Sequence, residues 1–279
     1  VTFAGTVTGG DNGYSGTAGG TISAGDAVFV LNDLEIRDVA QDTNNAVTYD
    51  TNPITKWFAQ TFTTDYWANQ VVAVRWTLLD AGGGTCTASI RNTSAGLPTG
   101  ADIESKTATT PALAAGAQGY WVTFSTPVSV EPNTVYAAVA RCTGTGAKAY
   151  YANTNPYAGG QYITSADSGS SWTATAGNDF EFAANASSTL GVIFPTIANG
   201  AIASSYNNFI GFASNAATKG STVNVVTTGA VSGLSGLTIG KTYYLGNATG
   251  TISVTAGTNS RKVGVSVSTT QLVVKHDNP

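Results

Sequence analysis

The side chains that could do chemistry in this chain are few, and their spacing works against most reactions. The single histidine, His276, stands near the end of a sequence of 279 residues. A hydroxyl or thiol nucleophile needs a base within hydrogen-bond reach, and a histidine in a terminal tail reads as a solvated residue instead. Paired carboxylates could support glycoside hydrolysis. Most of the 16 acidic residues, however, sit where turns need them: Asp11-Asn12-Gly13, Gly25-Asp26, Asp80 ahead of Gly82-Gly83-Gly84, and Asp167 ahead of Gly169. Asp179 and Glu181 alternate with Phe180 and Phe182, which places both acids on one strand face and both rings on the other. That face is a calcium or sugar contact, or simply the wet side of a strand. Gly82-Gly83-Gly84 lacks the Lys-Ser/Thr of a phosphate loop and precedes a strand-like run, so it reads as a flexible hairpin tip. No catalytic residue, metal ligand or cofactor is assigned.

Two cysteines, Cys86 and Cys142, each lie in a strand-like run. A disulfide and a pair of buried thiols both fit; the expectation is a bridge. Metal binding fits poorly, since no CxxC pair exists and the histidine is remote in sequence. Trp67 beside Tyr66, the pair Tyr150-Tyr151, Tyr157, Tyr162 and Trp172 fall in or near turn-rich segments. Such rings either cap a core or stack on the apolar face of a sugar. Trp67, Tyr151, Tyr157 and Trp172 are the candidate glycan or receptor contacts. Asn92-Thr93-Ser94, Asn185-Ala186-Ser187 and Asn247-Ala248-Thr249 match the N-glycosylation acceptor, which matters only in a cell that uses it.

The elements that must position these residues are strands. Runs such as Ala27-Val28-Phe29-Val30-Leu31, Val71 to Leu78, Tyr120 to Phe124, Thr222 to Val226 and Lys262 to Val267 are short and bounded by Gly, Asn, Asp or Pro. No helical period of useful length competes with them. Charged residues are 10% of the chain and apolar ones 42%, so a core is available while charge has given way to Thr, Ser, Asn and Gly. That is a composition of extracellular β proteins. The formal net charge of -4 and scattered basic residues exclude nucleic acid as a partner. No run of about 18 apolar residues predicts a membrane span. A chain opening on Val1 is consistent with a removed leader or a trimmed start.

All five Trp lie between about Thr55 and Asn185, whereas the flanks are rich in Gly, Val and Thr. This predicts an inserted aromatic-rich sandwich at 51–189 and a discontinuous β domain made of 1–50 and 190–279. Leu97-Pro98-Thr99-Gly100 is expected to be a turn, and Asp167-Ser168-Gly169 a hairpin tip.

Several motifs of the middle segment fall in a recognisable order. They are Ala59-Gln60-Thr61-Phe62, Ala88 to Gly100, Trp121 to Val128, Asn155 to Gly160, and Asp167 to Trp172. Together they resemble the choice-of-anchor R type of β-sandwich of bacterial surface and phage structural proteins. The resemblance implies a jelly-roll-like sandwich in an extracellular setting and no activity. The flanking runs Gly20 to Val28, Phe209 to Ala213, Lys219 to Val226, Gly236 to Leu245 and Lys262 to Val267 look like small β domains of phage tail-fibre and capsid-decoration proteins. The expectation is an all-β chain, a jelly-roll-like sandwich inserted into a small β-barrel or β-sandwich domain. It would act without catalysis at a virion surface or outside the cell, as a decoration or head/tail fibre subunit, alternatively as a glycan-binding adhesin or carbohydrate-binding module. Its expected partners are copies of itself, other virion or appendage subunits, and host-surface glycans. The Gly-rich start, residues 9–20, is expected to lie on a neighbouring subunit, because such an arm has much conformational entropy to lose.

Overall fold

The computed structural model describes residues 2–3, 13–30, 37–40, 48–49, 56–65, 68–79, 82–112, 117–143, 148–153, 157–187, 192–196, 208–256 and 261–275. Among them there is no helix, and 25 strands, numbered here in chain order, form antiparallel ladders. The all-β expectation is borne out. The chain divides into two compact units, Val1–Glu35 with Ser188–Pro279, and Ile36–Ser187.

The discontinuous unit holds two five-stranded sheets. The first runs β17 (Ile193–Pro195), β3 (Ala27–Val30), β18 (Phe209–Ala213), β19 (Thr222–Val226), β2 (Gly13–Thr17). The second runs β20 (Gly229–Ser232), β25 (Gln271–Val274), β24 (Lys262–Ser266), β22 (Thr242–Leu245), β23 (Ile252–Ser253). A short pair, β1 (Thr2–Phe3) with β21 (Leu234–Ser235), completes it. Ala27, Phe209, Phe212 and Val226 of the first sheet share one core with Val231, Leu237, Tyr243, Leu245, Val263 and Leu272 around the second. The other face of the first sheet carries a second cluster of Ala18, Ile22, Val28, Ile193, Ala213, Val223 and Val225. β3 therefore has both faces covered, which is why Ala27-Val28-Phe29-Val30 is apolar without alternation. It pairs with β17 and β18, so residues before the inserted segment join strands that follow it. Ala18 makes an isolated parallel bridge to Ile193. No sheet closes into a barrel among the described residues, and the unit is sandwich-like.

The inserted unit is a sandwich of two larger sheets. One is six-stranded: β14 (Thr173–Thr175), β13 (Tyr162–Ser165), β6 (Trp57–Thr63), β11 (Val135–Thr143), β8 (Gly82–Ser94), β9 (Leu97–Ala112). The other has seven strands and runs β15 (Asp179–Phe180), β12 (Lys148–Ala152), β7 (Gln70–Leu79), β16 (Phe182–Ser187), β4 (Arg37–Ala40). β10 (Ala117–Ser129) pairs with β7 and β5 (Thr48–Tyr49) with β12. The alternation of each strand sends Phe58, Phe62, Cys86, Ala88, Ile90, Tyr136, Ala138 and Ala140 from one sheet against Val74, Trp76, Leu78, Val122, Phe124, Phe180, Phe182 and Ala184 from the other. Rings fill its centre: Trp76 meets Phe180 edge-on at 5.1 Å, and Tyr162 stacks on Phe180 at 6.0 Å.

Three local expectations are corrected. The boundary expected after residue 50 falls at 35/36, because β4 and β5 pair with β16 and β12 of the sandwich. The turn lies at Ala95 and Gly96, not at Leu97 to Gly100. Ala95 and Gly96 have φ of 51° and 76°, the handedness a two-residue hairpin between paired Ser94 and Leu97 requires. Gly82 and Gly84 are not a hairpin tip but open β8, paired with Ala112 and Thr110.

Candidate functional site

The structure separates the residues expected to contact a ligand. Trp67, like His276, lies outside the described residues. Tyr151 packs against the sandwich core and stacks on Tyr162 at 5.0 Å. Tyr157 also joins that core, edge-on to Phe182 at 5.6 Å, and its hydroxyl accepts a hydrogen bond from Thr63 N at 3.3 Å. Burial raises the pKa of the Tyr157 phenol, against the lowering effect of that bond. Trp172 lies on the outer face of the six-stranded sheet, half-buried beside Trp57 at 6.3 Å. Cys86 and Cys142 face each other across β8 and β11 as a disulfide, with Cα atoms 4.0 Å apart.

Around Trp57 that outer face is built from residues one step out of phase with the core. Phe58 and Cys142 point inward, so Trp57 and Arg141 point outward; Ile90 points inward, and Arg91 follows it outward. Both guanidinium groups lie over the Trp57 ring, Arg141 at 4.7 Å and Arg91 at 5.4 Å from its centroid. Asp102 on β9 ties them together. Its Oδ1 accepts from Arg91 Nε at 2.7 Å and its Oδ2 from Arg141 Nη2 at 2.6 Å. Burial alone would raise the pKa of this carboxyl, but the hydrogen bonds from Arg91 and Arg141 outweigh it and hold the value below the ordinary range. Trp57, Trp172 and Leu97 cover a small apolar patch of Ala59, Ala137, Val139 and Ile163.

The hairpin between β13 and β14 closes over the same ring. Asp167 accepts from Ser165 Oγ at 2.7 Å, Ser171 N at 2.8 Å and Ser171 Oγ at 2.6 Å. These bonds, Ser171 Oγ foremost, lower its pKa to about 2. The turn they make brings Gly169, at φ 85°, so close to Trp57 that a Cβ there would lie 2.6 Å from Cζ3. Only glycine fits.

The other sheet presents a different aromatic. Trp121 on β10 alternates with core residues Val122 and Phe124 and is 43% exposed. It pairs in register with Arg75, whose guanidinium lies 5.8 Å from the ring centroid. In the sequence, alternation with Val122, Phe58, Ile90 and Cys142 marks Trp121, Trp57, Arg91 and Arg141 as outward-facing, but nothing local singles them out as a ligand site. Asp102 carried no such signal, since a register shift in the β8–β9 pairing beyond Ile90 sets its direction.

Asp179 and Glu181 are not the wet face of a strand. Both are buried. Gln60, also buried, donates Nε2 to Asp179 Oδ1 at 2.8 Å and accepts Phe180 N on Oε1 at 2.7 Å, while Tyr157 N donates to Asp179 Oδ2 at 2.9 Å. Desolvation raises the pKa of Asp179 against these hydrogen bonds. Glu181 accepts from Thr77 Oγ1 at 3.1 Å. The two acids thus brace strands and stand apart from the outer faces. Among the described residues no group of three or more His, Cys, Asp or Glu side chains could hold a metal ion.

No family model matches the chain. No curated protein matches it either.

Proposed function

We propose that the chain is a non-enzymatic structural subunit of a virion surface, a capsid-decoration or head/tail fibre protein, whose inserted sandwich projects as a recognition module. The observation that supports this reading most is the insertion itself. One all-β unit with its own core interrupts another, entering near residue 36 and leaving near residue 187. Such an arrangement lets the discontinuous unit serve assembly while the insert is free to present side chains. The composition and the resemblances of both segments agree with it. The Cys86–Cys142 bridge suits an oxidising, extracellular setting. Symmetric homo-oligomers are the usual way to multiply such a surface.

Light scattering on the full chain tests it, with expected masses at a fixed multiple of the monomer. A variant with residues 36–187 replaced by a short Gly-Ser linker is expected to keep that multiple. A monomeric full chain, or an oligomer lost when only the sandwich is removed, overturns the assignment of roles. The glycan-binding reading is favoured by one further observation: the sandwich carries tryptophan beside arginine on both outer faces, at Trp57 and at Trp121. Screening the full chain on a glycan array tests that reading directly.

A further inference from the structure

We propose that the guanidinium pair over Trp57 is a binding site for a carboxylate-bearing saccharide, a chain containing uronic or sialic acid; this rests on the glycan-binding reading of the sandwich. Asp102 spends one oxygen on each arginine. Two cations thus share a single carboxylate, and Asp167 in the adjoining hairpin is engaged by Ser165 and Ser171 instead. Arg141 Nε is buried and has no acceptor among the described residues. The Arg141 side chain is 21% exposed and that of Arg91 10%, so Arg141 is the arginine an incoming anion meets.

The site is also pre-organised. Stacking on Trp57 and the bond to Asp102 already hold the Arg141 fork in place, so little side-chain freedom is lost when an anion docks. A planar guanidinium matches a carboxylate better than a lone ammonium does. The surroundings suit a sugar ring. Trp172 offers a half-exposed indole beside Trp57. Thr87 is the register partner of Arg141 and bonds Thr107 across the next pair, 2.7 Å between hydroxyls. These hydroxyls are partners for those of a saccharide. An acidic peptide fits less well. β11 and β8, which carry the two arginines, are interior strands paired on both sides, so neither has backbone groups open to an added strand.

Titration calorimetry on the full chain at low salt tests the site, using uronate and sialate oligosaccharides, their methyl esters, a poly-glutamate peptide and sodium sulfate. At least one acidic saccharide is expected to bind tenfold or more tighter than its methyl ester. Arg141→Gln is expected to abolish that preference while leaving the melting temperature close to wild type, because Arg91 still pairs Asp102. Trp172→Leu is expected to weaken acid and ester alike. Equal affinity for acid and ester overturns the carboxylate site and leaves the glycan-binding reading standing. Binding of neither overturns both. Sulfate competing as strongly as the saccharide, poly-glutamate binding more tightly, or an Arg141→Gln variant that keeps the preference each overturns the proposal.

Discussion

Single side chains in the sandwich carry opposite electrostatic duties. Asp102 has its carboxyl pKa lowered by two arginines, so its contribution to stability is present above the ordinary carboxyl value of about 4 and is lost as pH falls through the folded-state value. Asp102→Asn is expected to cost about 1–2 kcal/mol at pH 7, less than a deeply buried pair because the group is partly exposed. The gap in melting temperature between wild type and variant should close below about pH 4. A gap that stays constant to pH 2 would show that the cost is steric. Asp179 has the reverse sign. Its raised pKa favours the folded state at low pH, and that contribution is lost as pH rises through the folded value. Gln60 makes the ionised form tolerable there. Gln60→Leu strips acceptor and donor at once from Phe180 N and Asp179 Oδ1 and is expected to cost about 3 kcal/mol in urea unfolding.

Strand pairing depends on close approaches that side chains would block. Gly160 lies two residues before β13, and a Cβ there would sit 1.8 Å from the Thr61 carbonyl oxygen. Gly160→Ala must push β13 away from β6, and a loss of more than about 2 kcal/mol is expected. Gly100, on the exposed edge strand β9, has nothing within 4 Å of the same position. Its φ of 69° still penalises alanine, by about 1 kcal/mol. Measuring both variants separates collision from backbone strain; equal losses would sink the distinction. The Cys86–Cys142 bridge joins neighbouring strands separated by 56 residues in sequence, which the chain-entropy account values at about 4 kcal/mol.

Two units with separate cores need not unfold together. Calorimetry of the full chain is expected to show two transitions. The disulfide belongs to the inserted unit alone, so a reductant should lower one transition and leave the other in place. A single transition that moves as a whole on reduction would show that the units are coupled into one cooperative fold.

Strand content and the insertion were legible from the sequence for a physical reason. Alternation in runs such as Tyr120 to Phe124 and the short spacing of Gly, Asn and Pro are local properties. The confinement of every tryptophan to the middle segment marks a second core. What the local pattern could not supply was the environment of each turn-flanking aromatic. Tyr151 and Tyr157 join the core because β12 and the segment before β13 come to lie over Phe180 and Phe182, contacts made only when distant strands meet. Asp179 and Glu181 alternate as surface acids do, yet are buried, because their partners Gln60 and Thr77 arrive from strands more than a hundred residues earlier. The Trp57 cluster is likewise a product of register. It gathers β6, β8, β9 and β11, and the β13–β14 hairpin, at one point of a sheet. Sequence determined which side chains could face outward; tertiary pairing alone decided which of them became neighbours.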